Sequence, residues 1–399
     1  MDPQQPFWLA RLLAAARKTP ERGTGWVRLR LREEFRTPTS GPGRALRRML
    51  ILAEDSFAAL ARGTPEAAVV PEGAETLYFF YDLETCPITY DFASFLALAE
   101  LERRQRKLGC VYVVIVPGRR LLREADDYQA AVGPAARRNR IDDIVIPVTR
   151  LLPTCAGATV CESRKQAVAV YRRAGGRVLP ADYHPRYPTA PNGRDVRRRT
   201  RAGEALFPML RASEAARREL AASLESRVGG RRIITVTLRE YPYMPGRNSN
   251  LESWIAFADG LDSRRYAVVF VRDTGRAKAP PPEGMLRHIV CQSASLDVGV
   301  RMALYELAYL NMAIMHGPME LCWYNESCRY LVFLGLGSAP QTEAEVLRRN
   351  EFRIGEPLPF ARRYQRWIWE RDDLPVIRRE FDAMLPVLET SPSAADPAA

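Results

Sequence analysis

Two arginines, a short polar run and one histidine are the residues of this chain best suited to hold an anion. Arg239 follows the apolar run Ile233–Leu238, and Arg247 closes the loop Tyr241–Asn248, with Asn248-Ser249-Asn250 after it. Guanidinium forks match phosphate oxygens two at a time. Ser249-Asn250-Leu251-Glu252 has the Ser-x-x-Glu spacing that opens a helix. The free N–H groups of such a helix start favour a negative charge. Further on, His316-Gly317-Pro318 sits between an apolar run and a helical one. Gly317 permits close backbone approach, Pro318 suits a first helical turn, and His316 can reach a phosphate or a sugar hydroxyl. The pattern reads as a cradle for a pyrophosphate. The competing account is a capped loop with solvated arginines and a structural histidine.

A second set is acidic. Asp82, Glu84 and Asp91 fall at the end of one apolar run and the start of the next helix. A carboxylate there can act as general base on an acceptor hydroxyl. The alternative is an N-cap for Asp91 and solvated loop positions for Asp82 and Glu84. Asp126-Asp127 reads as surface. The seven cysteines form no CxxC pair and there are only three histidines, so no structural zinc is expected. GxxxxGK[ST], a clean GxGxxG after the first strand, and GxSxG are all missing.

The elements that must carry these residues alternate strand and helix. Leu77–Tyr81 reads as a buried strand ending in Asp82-Leu83-Glu84, Asp91–Arg104 as a helix, and Val111–Val116 as the next strand. Ile141–Leu152, interrupted by Pro147, is a short strand or a broken helix. Ala156–Cys161 and Arg177–Pro180 read as strands around a helix at Ser163–Arg173. In the second half, strands at Ile233–Leu238, Tyr266–Val271 and Ala313–His316 are separated by helices, including Val298–Leu310 with Met302, Tyr305 and Leu310 as core and Glu306 solvated. Such alternation implies parallel sheets. The expected organisation is a helical N-terminal extension at 1–70, a first Rossmann-like domain at 71–200, and a helical linker at 201–228. A second such domain follows at 229–372, then a closing helix at 373–389 and a disordered tail at 390–399.

The chain has 399 residues, 47% of them hydrophobic and 27% charged, which suits a globular protein with substantial cores. No run reaches the ~18 apolar residues of a membrane span, and no signal peptide is read. A cytoplasmic protein is expected, with a possible anionic membrane surface as partner through the Phe7-Trp8 helix. The net charge of +12 comes almost entirely from arginine. Most of these arginines alternate with glutamates on helical faces. No aromatic-basic stacking motif accompanies them, so nucleic acid is not an expected partner.

Residues 231 to 385 resemble the C-terminal domain of GT-B glycosyltransferases, of the bacterial polysaccharide-locus type and distantly the fucosyltransferase-like group. The resemblance rests on the strand leading to Arg239 (or Arg247), the Ala303–Asn311 helix, and the Ala313–His316 strand with its Gly317-Pro318 turn. It departs from the fucosyltransferase-like pattern, which has a histidine before the arginine, at Thr237-Leu238-Arg239. It implies an α/β fold of two Rossmann-like domains facing a cleft, and transfer of a sugar from a nucleotide-sugar donor to a glycan or lipid-linked acceptor. It also implies no metal or other cofactor. Arg239, Arg247, Asn248, Ser249, Asn250, His316, Gly317 and Pro318 would then hold the donor, with Arg239 stabilising the leaving group and Glu84 or Asp82 as base. A nucleotide-sugar epimerase, a non-catalytic nucleotide-binding protein and, last, a nucleic-acid binder are the alternatives.

Overall fold

Strands buried on both faces need unbroken apolar sequence, and this chain supplies it. In the computed structural model, residues 41–60, 75–118, 134–338 and 342–390 are described. The Phe7-Trp8 helix, the rest of the extension outside 41–60, Asp126-Asp127 and residues 391–399 lie outside them. Four strands, β1 (Thr76–Asp82), β2 (Cys110–Val116), β3 (Cys155–Val160) and β4 (Val178–Leu179), form one sheet in the order β3-β2-β1-β4. β1 pairs in parallel with β4, and every residue of β1 is buried. The other six strands are β5 (Arg232–Thr237), β6 (Tyr266–Val271), β7 (Ile289–Val290), β8 (Leu310–Ile314), β9 (Tyr330–Phe333) and β10 (Gln365–Ile368). They form a second sheet, β10-β9-β8-β5-β6-β7, parallel throughout. The expected α/β class with parallel sheets is what the molecule has.

The helices used below are α1 (Gly41–Leu60), α2 (Phe92–Gln105), α3 (Arg164–Ala174), α4 (Arg194–Arg201), α5 (Glu214–Val228), α6 (Leu251–Asp259), α7 (Val298–Leu307), α8 (Glu320–Trp323) and α9 (Leu374–Glu389). The chain divides into two compact units that interleave along the sequence. One comprises the described residues within Met1–Cys86, Tyr112–Arg123 and Ala158–Pro191; the other comprises those within Pro87–Val111, Glu124–Gly157 and Asn192–Ala399.

In the first unit, the α3 residues Ala167, Val170 and Ala174 pack on Tyr78, Phe80, Tyr112, Val114 and Val116. The Phe80 and Tyr183 rings stack at 4.7 Å. In the second unit, side chains of successive strand residues point to opposite faces. Ile234, Val236, Leu238 and Phe270 meet α6 and α9 through Trp254, Phe257, Ile377 and Phe381. Ala267, Val269 and Val271 meet α5 and α7 through Leu220, Leu224, Ala303 and Leu304.

The strand order decides where a ligand can sit. From β5 the chain steps outward to β6 and β7, then crosses back to β8 on the other side of β5 and continues to β9 and β10. The order therefore reverses between β5 and β8, and in open parallel sheets the crevice for a ligand lies at such a reversal. The register pairs Thr237 with Ala313, so the ends of both strands lie side by side.

Several element limits differ from the sequence reading. Residues 141–145 form a π-helical turn that continues into a helix at Ile146–Thr149, with Pro147 just after the π turn. α7 ends at Leu307 because Ala308 is extended, and the strand starts at Leu310 rather than Ala313. The helical linker expected from residue 201 is helical only from Glu214, as α5, which the Ser213 hydroxyl caps; α4 ends at Arg201. Among the described residues no helix is long and apolar enough to cross a membrane.

One buried polar group ties the central strands together. Asn311 on β8 accepts from the Thr235 hydroxyl at 2.6 Å and donates to the carbonyls of Tyr305 and Arg329 at 2.9 and 3.1 Å. Asn311→Leu leaves that hydroxyl and both carbonyls without these partners. The Arg329 carbonyl keeps the backbone N–H of residue 311, so two groups are stranded, and a loss of about 2–6 kcal/mol is expected in urea unfolding at ~1–3 kcal/mol for each. Adding Thr235→Val recovers part of it, and a double mutant that recovers none would refute this account.

Candidate anion-binding site

The loop after β5 is folded around the head of Arg239. Its guanidinium donates to the carbonyls of Met244 (3.0 Å) and Tyr243 and to the side-chain oxygen of Asn248. Its backbone is clamped by Ser249, whose Oγ accepts from the Arg239 N–H at 2.9 Å and whose N–H donates to the Arg239 carbonyl at 3.0 Å. Asn248 also accepts from the Tyr241 N–H (3.0 Å) and donates to the Tyr241 carbonyl (3.1 Å). The loop reverses at Met244, with φ 55°, a conformation side-chain-bearing residues seldom adopt.

The polar run therefore shapes the loop. Ser249 is not the helix cap that its Ser-x-x-Glu spacing suggests. α6 starts later, capped by Asn250, whose Oδ1 accepts from the Ser253 N–H at 3.3 Å. The Asn250 N–H is taken by the Asp372 carboxylate at 2.7 Å, which also accepts from the Trp254 indole at 2.7 Å. Asn250 thus faces Asp372 and Asp373 rather than the arginines.

Three cations remain at the crevice. Arg239 is 8% exposed, and Arg247 reaches across to the Met315 carbonyl, at the end of β8, at 3.2 Å. The third, Arg301 on α7, was not singled out in the sequence. It is 2% exposed and donates to the carbonyls of Ala294 (2.7 Å) and Ser295 (3.1 Å). A signal for it did exist: Arg301 interrupts the apolar stripe Val298, Met302, Tyr305 that buries the helix.

His316 sits among these three charges. Its Nε2 is buried and has no hydrogen-bond partner among the described residues. Burial, then the fields of Arg301, Arg239 and Arg247, hold its pKa well below the ordinary 6.5, so the ring is neutral at pH 7. Burial, then Arg247, lowers Arg239 to about 10, which still leaves it cationic.

None of the three arginines forms a salt bridge among the described residues. Their neighbour Arg272 shows what pairing looks like here, with Glu240 at 2.6 Å. Asp273 lies near Arg239 and Arg301, and Asp91 near Arg247, but neither is bonded to them. A shallow open cleft runs beside Arg247 and Asn248, bordered by Met315, Gly335 and Arg371.

Gly317 and Pro318 form a short 3-10 turn after His316, with Pro318 in its first turn. A Cβ on Gly317 would lie 3.1 Å from that of Tyr90, so glycine is what permits this approach. The helix that follows, α8, stops at Trp323.

The first unit holds Asp82 and Glu84. Asp82 is fully buried and accepts from Arg164 (3.0 and 2.6 Å), the Tyr183 hydroxyl (2.8 Å) and the Glu84 N–H (3.0 Å). Glu84 shares the same arginine at 3.5 Å. A carboxylate so fully engaged anchors the end of β1, and its geometry does not suit a group that must exchange a proton. Glu306, expected in solvent, is 8% exposed and accepts from the Ala212 N–H (2.9 Å) and Asn325 (2.7 Å).

No family model matches this chain, and no curated protein does. Solved structures resemble it weakly. A glycosyl transferase family 9 protein from Veillonella parvula DSM 2008 aligns over 80% of this chain and 99% of its own, at 11% identity and TM-score 0.43. The E. coli ADP-heptose lps heptosyltransferase II aligns over 78% of this chain and 100% of its own, at 12% identity and TM-score 0.48. The wall teichoic acid polymerase TagF aligns over 88% and 92%, at 10% identity and TM-score 0.30. Likeness at this level carries no functional argument. The α/β assignment rests on the two sheets themselves.

The buried neutral histidine gives a pH signature. Protonating His316 in the folded state is opposed, while in the unfolded chain it is not. The unfolded state therefore binds more protons once the pH falls below about 6.5, and stability declines from there toward the lower folded pKa. Above about 6.5 the residue adds no slope. Urea unfolding between pH 7 and 5 should show an extra slope approaching about 1.4 kcal/mol per pH unit, absent in His316→Gln. Equal slopes in the two proteins would contradict this.

Proposed function

We propose that the chain is a glycosyltransferase that holds a nucleoside-diphosphate sugar at the β5/β8 crevice and transfers the sugar to a glycan or lipid-linked hydroxyl. The observation that carries the reading is the trio Arg239, Arg247 and Arg301, gathered without a salt bridge among the described residues around His316, whose buried Nε2 lacks a partner among them, at the strand-order reversal. Buried cations without counterions are costly unless an anion completes them. A diphosphate does so, and its charge grows as the sugar leaves. Donors fixed in place before the reaction stabilise that growing charge. The neutral His316 Nε2 can accept from or donate to a phosphate or sugar hydroxyl according to its tautomer. The sugar-transfer part of the reading is supported by the resemblance of residues 231–385 to the C-terminal domain of GT-B enzymes.

The test is a thermal-shift panel of UDP, GDP, CMP, ADP and TDP at millimolar concentration. A ligand at 100-fold its Kd stabilises the folded state by about 2.7 kcal/mol. One nucleotide should raise Tm in wild type, and the shift should vanish in Arg239→Ala and Arg301→Met. No shift in a well-folded wild type with any of the five would sink the reading.

A further inference from the structure

Glu320, the first residue of α8, has a buried side chain with no salt bridge among the described residues. It is 7% exposed, accepts from the Ser94 hydroxyl at 2.6 Å, and is hydrogen-bonded to the carboxyl of Asp91. Ser94 in turn accepts from the Tyr324 hydroxyl at 2.9 Å, so its own proton is committed to Glu320. The nearest cation, Arg197 of α4, is turned elsewhere: its Nε donates to the Asn350 carbonyl at 2.7 Å and its guanidinium lies 4.1 Å from the Phe352 ring centre. Asp91 occupies the N-cap position of α2, yet its side chain makes no capping bond. It is exposed, and it faces Arg247. Arg247 also faces His316, the buried group whose Nε2 lacks a partner. An exposed carboxyl, held from behind by a buried one, thus borders the anion site.

We propose that Asp91 takes the proton of the attacking hydroxyl and that Glu320 is a positioning residue, a buried carboxyl that holds Asp91 in place by the hydrogen bond between them. The assignment rests on the nucleotide-sugar reading of the Arg239–Arg247–Arg301 site. In the step, the acceptor oxygen bonds to the anomeric carbon of the donor. The bond from that carbon to the diphosphate oxygen breaks, and its electron pair leaves with the diphosphate toward the arginines. The hydroxyl proton passes to an Asp91 oxygen. This replaces Asp82 and Glu84, the bases expected from the sequence.

Two carboxyls in hydrogen-bond contact cannot both be charged without cost. Burial, then the Asp91 charge, raises Glu320 well above the usual carboxylate range, so the buried member keeps the proton and the exposed member is free to accept one. The groups facing the pair are Ser94, Arg197, Tyr324 and Arg247. None of the three ionisable ones is an acid near neutral pH.

The experiment compares wild type, Asp91→Asn, Glu320→Gln and Glu320→Leu in two assays. The first is the nucleotide thermal shift. The second is release of the bound nucleotide's diphosphate from its commercial sugar conjugates, with a detergent-solubilised glycolipid fraction or water as acceptor. Nucleotide binding should be unchanged in all three variants. Asp91→Asn should lower the release rate about 10²-fold or more, the scale of a lost general base. Glu320→Gln, whose amide can still accept from Ser94 and donate to Asp91, should keep most of the rate and lose the alkaline limb of the rate–pH profile. Glu320→Leu should lose rate. If wild type binds nucleotide and Asp91→Asn releases diphosphate at the wild-type rate, this assignment alone is overturned. Binding with no release from any conjugate overturns it too. If no nucleotide binds wild type, the functional reading falls and takes this assignment with it.

Discussion

Holding three guanidiniums around one neutral imidazole is the constraint on which the second unit turns. Like charges repel, and burial strips away the water that would screen them. The fold meets this with carbonyl oxygens: Met244 and Tyr243 for Arg239, Met315 for Arg247, and Ala294 and Ser295 for Arg301. Carbonyls satisfy the donors without cancelling the charge. The site is thereby both folded and positive. These carbonyls come from segments far apart in sequence, and the parallel register of β5 with β8 places Arg239 and His316 at one edge.

Arg164 in the first unit shows the opposite solution. Its charge is met by the Asp82 carboxylate on two short bonds, with Tyr183 adding a third donor to the same acid. Nothing is left over there for a ligand to neutralise. The two arginine environments differ in what they leave unpaired. That difference, rather than residue type, separates an anchor from a candidate site.

It also sets what the sequence could show. Apolar runs such as Tyr266–Val271 are legible because a strand covered on both faces tolerates little else, and Arg239, Arg247 and His316 are legible because they follow such runs. Strand order is not written locally, so the reversal between β5 and β8 had to come from the structure. Arg301 was hidden inside a stripe that reads as core. Ser249 and Asn250 compete for one cap, and the choice is made by distant groups: the Arg239 backbone claims Ser249, and Asp372 claims the Asn250 N–H. For Asp82 and Asp91 the sequence offers equal claims to chemistry, since both are acids near the end of β1. Their partners, Arg164 for one and Glu320 for the other, lie far along the chain.

The position of Asp91 gives the anion site a reason to be coupled to proton transfer. On the proposal above, Arg247 stands between a carboxylate and the place where a diphosphate would lie. A diphosphate beside Arg247 would bring the leaving group and the Asp91 carboxyl to the same arginine. The charge that leaves the sugar and the proton that leaves the acceptor would then be met at one place, by groups fixed before the reaction. Glu320, buried behind Asp91, would hold that carboxyl in orientation through a hydrogen bond, as Arg164 and Tyr183 hold Asp82 in the first unit.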